Sequence, residues 1–165
     1  MKNLVFFLLL ILFLENCSKN KDEIKSLIIQ DEIQIQMIES YKAGMNAFYD
    51  KDYILAAKKF NEAELLFPQS EWAPKASLMA AYSYYFDDYN NDAINELELF
   101  FKKYPNDQRI VYAHYLMAMS HYNNVVDEKK DLKPLLNSKK QFEYIVNNFP
   151  NTDFSLDSKF KLDLI

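Results

Sequence analysis

The chain has 165 residues, half of them apolar, with one glycine, five prolines and a formal net charge of −5. A chain of this length can bury a core as one domain, but it has little glycine or proline for the turns of a β-sandwich or barrel, so an all-α fold is expected. The composition also argues against a nucleic-acid surface, an internal disulfide and a glycine-rich phosphate loop, because it includes one arginine, one cysteine and one glycine.

The N-terminus has the pattern of a signal peptide. Eleven apolar residues, Leu4–Leu14, follow Lys2 and come shortly before Cys17. As a helix this run spans roughly 17 Å, about half of a hydrocarbon core, so residues 1–16 are predicted to be a signal peptide. The position of Cys17 is similar to that in bacterial lipoproteins, whose cysteine becomes the lipidated first residue. The alternative is a plain signal peptide, or a weak signal anchor, with an incidental cysteine.

Residues 17–36 are predicted to be a tether that leads to the first helix of the folded domain. The segment begins charged and then alternates apolar and polar residues around Ile33, Ile35 and Met37. This alternation is equally compatible with a short extended arm that lies on the rest of the domain.

Helical hairpins are predicted in the remainder of the chain, because the same residue types recur at a nearly fixed spacing. In the first hairpin, Ala43 and Gly44 are small enough to let two helices approach closely, and Pro68 ends the second helix because it lacks an amide donor. A step of 37 residues reproduces the pattern up to Pro105, and a third copy ends at Pro150. The equivalent positions are Gly44, Ala56, Phe60 and Ala63, then Ala81, Ala93, Leu97 and Phe100, then Ala118, Ser138, Phe142 and Ile145.

This spacing resembles that of tetratricopeptide (TPR) repeats. It predicts an all-α, right-handed solenoid of TPR-like helical hairpins in residues 37–165. The repeats are expected at about residues 37–69, 70–106 and 107–151, followed by a partial repeat at 152–165.

The third predicted hairpin contains an insertion, and the segment after it has an uncovered apolar face. Val125–Pro134 adds eight residues relative to the second copy and is charged, which predicts a solvated loop. Phe154–Ile165 is expected to form another first helix, with Phe160 and Leu164 on one face. Since each repeat of a solenoid buries its face on the next, we expect that the chain is truncated or that a partner covers its end.

Together, the lipoprotein-like start, the 37-residue period and the charged insertion resemble the BamD family of outer-membrane lipoproteins. The most telling segments are Tyr104–Asn106 and Phe149–Thr152. The resemblance implies a non-enzymatic protein without cofactor, anchored in the outer membrane through Cys17 and facing the periplasm. The implied partners are BamA, other subunits of the β-barrel assembly complex and unfolded outer-membrane proteins. The alternative is a TPR lipoprotein scaffold for other cell-envelope or cell-division complexes.

A partner-binding groove is predicted on the first helices of the hairpins, one, three or five positions away from the small residues. Aromatic and thioether side chains in such a groove suit an extended client of variable sequence, because they bring large or adaptable contact area. The alternative is that the same residues are core, covered by neighbouring helices. The predicted groove residues are Tyr41, Met45, Tyr49, Leu78, Tyr82, Phe86, Tyr115 and Met119.

Residues that could carry metal or acid–base chemistry occur in unsuitable patterns. His114 and His121 share a helix face, but two ligands without a third do not make a zinc site. Four glutamates form two i, i+2 pairs, which point apart on a helix and are not expected to act as acid and base. These are Glu62, Glu64, Glu96 and Glu98.

Overall fold

The computed structural model describes residues 19–125 and 131–165. The predicted signal peptide at residues 1–16, Cys17 and the centre of the predicted loop lie outside the described residues. The described ranges contain seven helices and no strand: α1 (Lys19–Tyr49), α2 (Tyr53–Leu66), α3 (Ala73–Phe86), α4 (Asn90–Lys103), α5 (Ile110–Asn123), α6 (Lys133–Asn148) and α7 (Asp153–Leu164). Among these helices, none combines the length and the apolar character that crossing a bilayer requires.

The helices stack in the order of the chain. Each helix packs against the one that follows it, and the further contacts join α3 to α5 and α5 to α7. These last contacts connect the first helices of successive hairpins, as in a solenoid. The all-α prediction is therefore confirmed, with TPR-like hairpins α1–α2, α3–α4 and α5–α6 and with α7 as a further first helix.

The first helix begins much earlier than the sequence pattern indicated. α1 includes residues 19–36, so the alternative of an extended arm is wrong. Ile35 is 56% exposed whereas Met37 is 1% exposed, and the partly buried Ile33 lies one helical turn before Met37. The less exposed of these apolar residues, Ile33 and Met37, therefore follow a helical spacing. The alternation of apolar and polar residues is too short to indicate a strand. The role of this segment as a tether stays a prediction.

The predicted register of the hairpins is confirmed by burial. Gly44 is buried, and a Cβ atom built on it would lie 2.9 Å from Cδ1 and Cε1 of the Phe60 ring, so α1 and α2 cross closely at this point. The positions equivalent to Gly44 in the next two hairpins, Ala81 and Ala118, are fully buried. The second-helix positions are fully buried as well: Ala56, Phe60, Ala63, Ala93, Leu97, Phe100, Ser138, Phe142 and Ile145.

The third hairpin places a serine where the first two have alanine. The Ser138 hydroxyl is buried and donates a hydrogen bond of 2.9 Å to the backbone carbonyl of Ala118 on α5. A small side chain is thus kept at the crossing, and its polar group is satisfied, as burial requires. The serine therefore fits the same register as Ala56 and Ala93.

Short polar turns separate the two helices of the first and second hairpins. The Asp52 side chain caps α2 by accepting a 3.1 Å hydrogen bond from the amide of Leu55. Lys51 and Asp88 adopt positive φ angles of 65° and 59°, which allow the chain to reverse within a few residues. Both turns lie at the same edge of the stack, because each follows the end of a first helix.

The last helix exposes one apolar face. Leu156 is 72% exposed, and Phe160 and Leu164 are each 60% exposed. The three residues are spaced by four, so they lie on the same side of α7. The prediction that Phe160 and Leu164 lie on an uncovered face is confirmed for the described residues.

Candidate partner-binding surface

A series of aromatic contacts connects the first helices of all the hairpins. Phe48 on α1 stacks on Tyr82 of α3 at a centroid distance of 5.5 Å, Tyr82 lies 6.3 Å from Tyr112 of α5, and Tyr112 lies 5.6 Å from Phe154 of α7. We call these four residues the aromatic ladder. Their stacked and tilted arrangements are the ones that aromatic pairs favour. The ladder is continuous across the stack, although its members are distant in sequence.

Two predicted groove residues extend the ladder. Phe86 lies 4.9 Å from Tyr82 and 5.5 Å from Phe48, measured between ring centroids. Tyr115 lies 5.3 Å from Phe154, and its hydroxyl donates a 2.5 Å hydrogen bond to Oδ2 of Asp157. The structure therefore brings Phe86, Tyr82 and Tyr115 into one aromatic series, in which Phe86 is exposed while Tyr82 and Tyr115 are half-buried and pack against the core.

Two other predicted groove residues belong to the core. Tyr41 is 8% exposed and lies 5.2 Å from the Phe60 ring and 5.3 Å from the Trp72 ring. Leu78 is 5% exposed and belongs to the buried cluster that includes Leu97 and Phe100. For these positions the alternative interpretation, packing beneath a neighbouring helix, is the correct one. They offer no surface to a partner.

The remaining predicted positions differ in exposure. Tyr49 is 74% exposed and Phe86 is 46% exposed, so their rings are available at the surface. Met45 and Met119 are half-buried. Met45 packs against the first core cluster, which includes Phe60, and Met119 packs against the third core cluster, which includes Phe142. The predicted groove thus consists of an exposed aromatic part and a part that also supports the core.

Sequence reasoning missed three members of the ladder. Phe48, Tyr112 and Phe154 lie outside the positions that the spacing rule selected. The signal for Phe48 was its place one turn after Gly44, on the face that turns toward the next hairpin. Tyr112 and Phe154 had no comparable signal, because their contact depends on how α5 and α7 are placed relative to each other.

The tyrosine hydroxyls of this surface are uncharged at neutral pH. Burial raises the pKa of Tyr82 and of Tyr112, and it raises the pKa of Tyr115 together with the hydrogen bond to Asp157. Neutral hydroxyls can donate and accept hydrogen bonds without adding charge. The surface therefore offers apolar ring area with a few neutral polar groups.

The edge of the stack near the start of α3 and α5 contains a cavity of about 490 Å³. Its lining includes Arg109, which forms a bidentate pair with Asp107 at 2.7 Å for each hydrogen bond. That pair lowers the pKa of the Asp107 carboxyl. Lys75 lies over the Trp72 ring with its Nζ 4.8 Å from the centroid. The basic groups of this cavity are thus engaged within the protein.

The glutamates of α2 and α4 join the first and second hairpins. Oε1 of the buried Glu64 accepts hydrogen bonds from the Tyr104 hydroxyl at 2.7 Å and from Lys103 Nζ at 2.9 Å. Glu62 instead pairs with Lys59 on its own helix at 2.6 Å, which confirms that the i, i+2 glutamates point apart. Burial is the main cause that raises the pKa of Glu96, which accepts a hydrogen bond from Asn61 at 2.8 Å. These carboxyl groups have structural partners.

The two histidines are also part of the packing. The His114 ring lies 4.2 Å from the Phe101 ring and 4.4 Å from the Tyr144 ring, and its Nδ1 is 2.9 Å from Oε1 of Gln141. Burial lowers the pKa of both His114 and His121. Within residues 19–125 and 131–165 there is no group of three or more potential metal ligands.

The sequence is similar to an outer membrane lipoprotein family and to outer membrane protein assembly factors. A family model described as YfiO, outer membrane lipoprotein, matches residues 33–165. The outer membrane protein assembly factor BamD of Rickettsia prowazekii is 32% identical over 154 residues, which cover 93% of this chain and 59% of the relative. The proteins of the same name from Caulobacter vibrioides and Neisseria gonorrhoeae are 26% and 24% identical, across 86% and 98% of this chain and 46% and 64% of their own lengths.

The chain spans roughly half to two thirds of the length of these relatives. The family match covers well over half of the chain and includes every described helix except the part of α1 before residue 33. The chain therefore belongs to the YfiO family of outer membrane lipoproteins.

Proposed function

We propose that this chain is a non-enzymatic factor in outer membrane protein assembly, anchored by a lipid at Cys17 and facing the periplasm. Its TPR-like solenoid binds BamA and other subunits of the β-barrel assembly complex, and it receives unfolded outer-membrane proteins. The family and the names of the relatives support the assembly role. The observation that carries the binding role is the continuous aromatic ladder across all four first helices.

The ladder suits the chemistry of an unfolded barrel strand. Strands of membrane barrels alternate apolar and polar residues, so one side of an extended segment presents its apolar set. Aromatic rings offer large contact area at low entropic cost, and the half-buried Met45 and Met119 can adapt their shape to different clients. Neutral tyrosine hydroxyls can accept or donate hydrogen bonds to a client backbone. This combination favours recognition of a residue pattern over recognition of one sequence.

Crosslinking from the ladder tests client binding. A photoreactive phenylalanine analogue replaces Phe86, which is 46% exposed, and in a second variant it replaces Tyr144, which is 42% exposed and lies on α6 away from the ladder. We expect barrel precursors to be trapped from Phe86 and not from Tyr144, because only the first ring belongs to the proposed surface. Equal trapping at both positions, or none at Phe86, contradicts client binding at the ladder.

Labelling with a fatty acid tests the anchor. The wild-type chain is expected to incorporate label and to fractionate with the outer membrane, because two or three acyl chains on Cys17 provide enough apolar surface for stable anchoring, whereas one chain binds only marginally. Cys17→Ala should abolish the label, whereas Ser18→Ala should retain it. Wild-type chain without label, or label that persists in Cys17→Ala, contradicts the lipid anchor.

Depletion of the protein distinguishes assembly from the alternative of a scaffold for other cell-envelope or cell-division complexes. Loss of folded outer-membrane barrels supports the assembly role. Septal defects with normal barrel levels support the alternative.

A further inference from the structure

Exposed aromatic rings and aspartates alternate at the edge of the stack where the first helices end. Tyr49 is the last residue of α1 and precedes Asp50, and Phe86 is the last residue of α3 and precedes Asp87 and Asp88. We call this surface the turn edge; it consists of Tyr49, Asp50, Phe86, Asp87 and Asp88. The turn edge extends across the neighbouring turns of the first and second hairpins.

The two exposed rings of the turn edge belong to one surface. Phe48 lies between them, 6.5 Å from the Tyr49 ring and 5.5 Å from the Phe86 ring. Tyr53, at the start of α2, lies 5.5 Å from Phe86 and 5.1 Å from Phe48, so the three rings form one cluster. Because Phe48 is also the first member of the aromatic ladder, the turn edge continues the ladder without a gap.

The charge of the turn edge is strongly negative. The two turns carry four aspartates and the single cation Lys51. Within the described residues, none of these aspartates takes part in an ion pair. Asp52 is engaged as the cap of α2, whereas Asp50 and Asp88 are exposed. Their carboxylates are therefore accessible to a charged group of a partner.

We propose that the turn edge receives a lysine or arginine side chain of the client segment whose apolar residues lie on the aromatic ladder. This inference rests on the proposed function. The cation lies against the faces of Tyr49 and Phe86 while Asp50 and Asp88 balance its charge. Cation–π attraction and carboxylates act together at such a site, and both disfavour an acidic residue there.

The protein uses the same kind of contact internally. Lys75 Nζ lies 4.8 Å from the Trp72 ring and 5.4 Å from the Tyr41 ring. At the opposite end of the ladder, the carboxylate of Asp157 is engaged by the Tyr115 hydroxyl. The two ends of the ladder thus differ in charge chemistry, so the turn edge gives a bound segment a preferred direction.

Matched peptides test the proposal on the full chain. One labelled peptide alternates leucine and serine and carries a lysine at one end; the second carries norleucine in place of the lysine, which keeps the aliphatic chain and removes the ammonium. Fluorescence anisotropy gives the affinity of each. We expect the lysine peptide to bind about two- to fivefold more tightly, with a ratio that falls as salt is raised.

A pair of protein variants locates the effect. Asp50→Asn combined with Asp88→Asn removes two exposed charges, and asparagine tolerates the positive φ of residue 88. This variant should show a ratio closer to one, because the rings of Tyr49 and Phe86 remain, while the control Asp163→Asn, which alters an exposed aspartate on α7, should keep the wild-type ratio.

The outcomes separate this inference from the proposed function. If both peptides bind the wild-type chain equally, the turn edge does not select a basic residue, although client binding stands. A ratio that is as large in the double variant as in the wild-type chain also overturns the inference. If neither peptide binds, the proposed client surface fails and the inference fails with it.

Discussion

The close crossing at Gly44 can be tested by adding a single methyl group. In Gly44→Ala, the new Cβ would lie 2.9 Å from two ring atoms of Phe60 and 3.1 Å from a third. Real Cβ contacts are longer than this, and Phe60 is fully buried in the core, where side chains are close-packed. Either the ring or the two helices must shift.

Two effects of opposite sign decide the outcome. Replacing glycine by alanine inside a helix stabilises it by about 1 kcal/mol. Overpacking a well-filled core destabilises typically by about 1–3 kcal/mol, and contacts with a rigid ring place this case in the upper half of that range. We therefore expect a net loss of about 1 kcal/mol in the free energy of unfolding, which corresponds to a decrease in Tm of roughly 2–4 °C.

A second substitution shows whether the ring is the cause. Phe60→Leu copies the second hairpin, where Ala81 and Leu97 occupy the equivalent positions and are both fully buried. In the double variant the clash is relieved, so the loss caused by Gly44→Ala should disappear when it is measured in the Phe60→Leu background. Urea unfolding followed by far-UV circular dichroism gives the four free energies of this cycle.

Additivity of the two substitutions would refute this reasoning, as would a Gly44→Ala protein that is more stable than wild type. The third hairpin places alanine at 118 opposite a buried phenylalanine at 142. Residue types alone therefore do not decide the stability of Gly44→Ala. The distance between α1 and α2 at Gly44 decides it.

Three further substitutions test the register of the hairpins, the pH dependence of stability and the hydrogen bond between Tyr115 and Asp157. Ala93→Asp should destabilise the protein by several kcal/mol, because it buries an unpaired charge between α3 and α4. Asn95 is exposed, so the control Asn95→Asp should change the thermal melt little. Similar melts for the two variants would contradict the register. Burial lowers the pKa of His114 below 6.5, so its contribution to stability is present above pH 6.5 and is lost as the pH falls. His114→Gln should therefore reduce the loss in unfolding free energy between pH 7 and pH 5. An unchanged pH profile of the unfolding free energy would refute this. Tyr115→Phe should destabilise by about 1 kcal/mol in a urea titration, because Asp157 loses its donor, and no change would show that the bond contributes nothing.

The sequence predicted the hairpins well because the necessary information is local. Small residues at Gly44 and Ala81 and helix-ending prolines at 68 and 105 act within one hairpin, so their spacing indicates where helices cross and stop. The sequence pattern did not show that α1 begins before residue 37. Without a glycine or proline to interrupt a charged segment, helix propensity does not indicate where the helix begins. Residues 19–36 contain neither.

The candidate surface was predicted only in part, for a different physical reason. Helical periodicity identifies which residues share a face, but it does not show how much of that face the next hairpin covers. Tyr41 and Tyr49 are two turns apart on α1, yet they are 8% and 74% exposed. The difference arises because Trp72 packs over Tyr41, while Tyr49 lies at the end of the helix.

This gradient of cover along one helix separates stability from binding. Tyr41 packs on Phe60 within the first core cluster and therefore contributes to the folded state. Tyr49 contacts only the neighbouring Phe48 among the aromatic rings of the described residues, so most of its area is available to a partner. Ala47 is 6% exposed and Tyr49 is 74% exposed, so the transition from core to surface occurs within a single turn of α1. The exposed residues of the turn edge can therefore change while the crossings at Gly44 and Ala81 stay fixed.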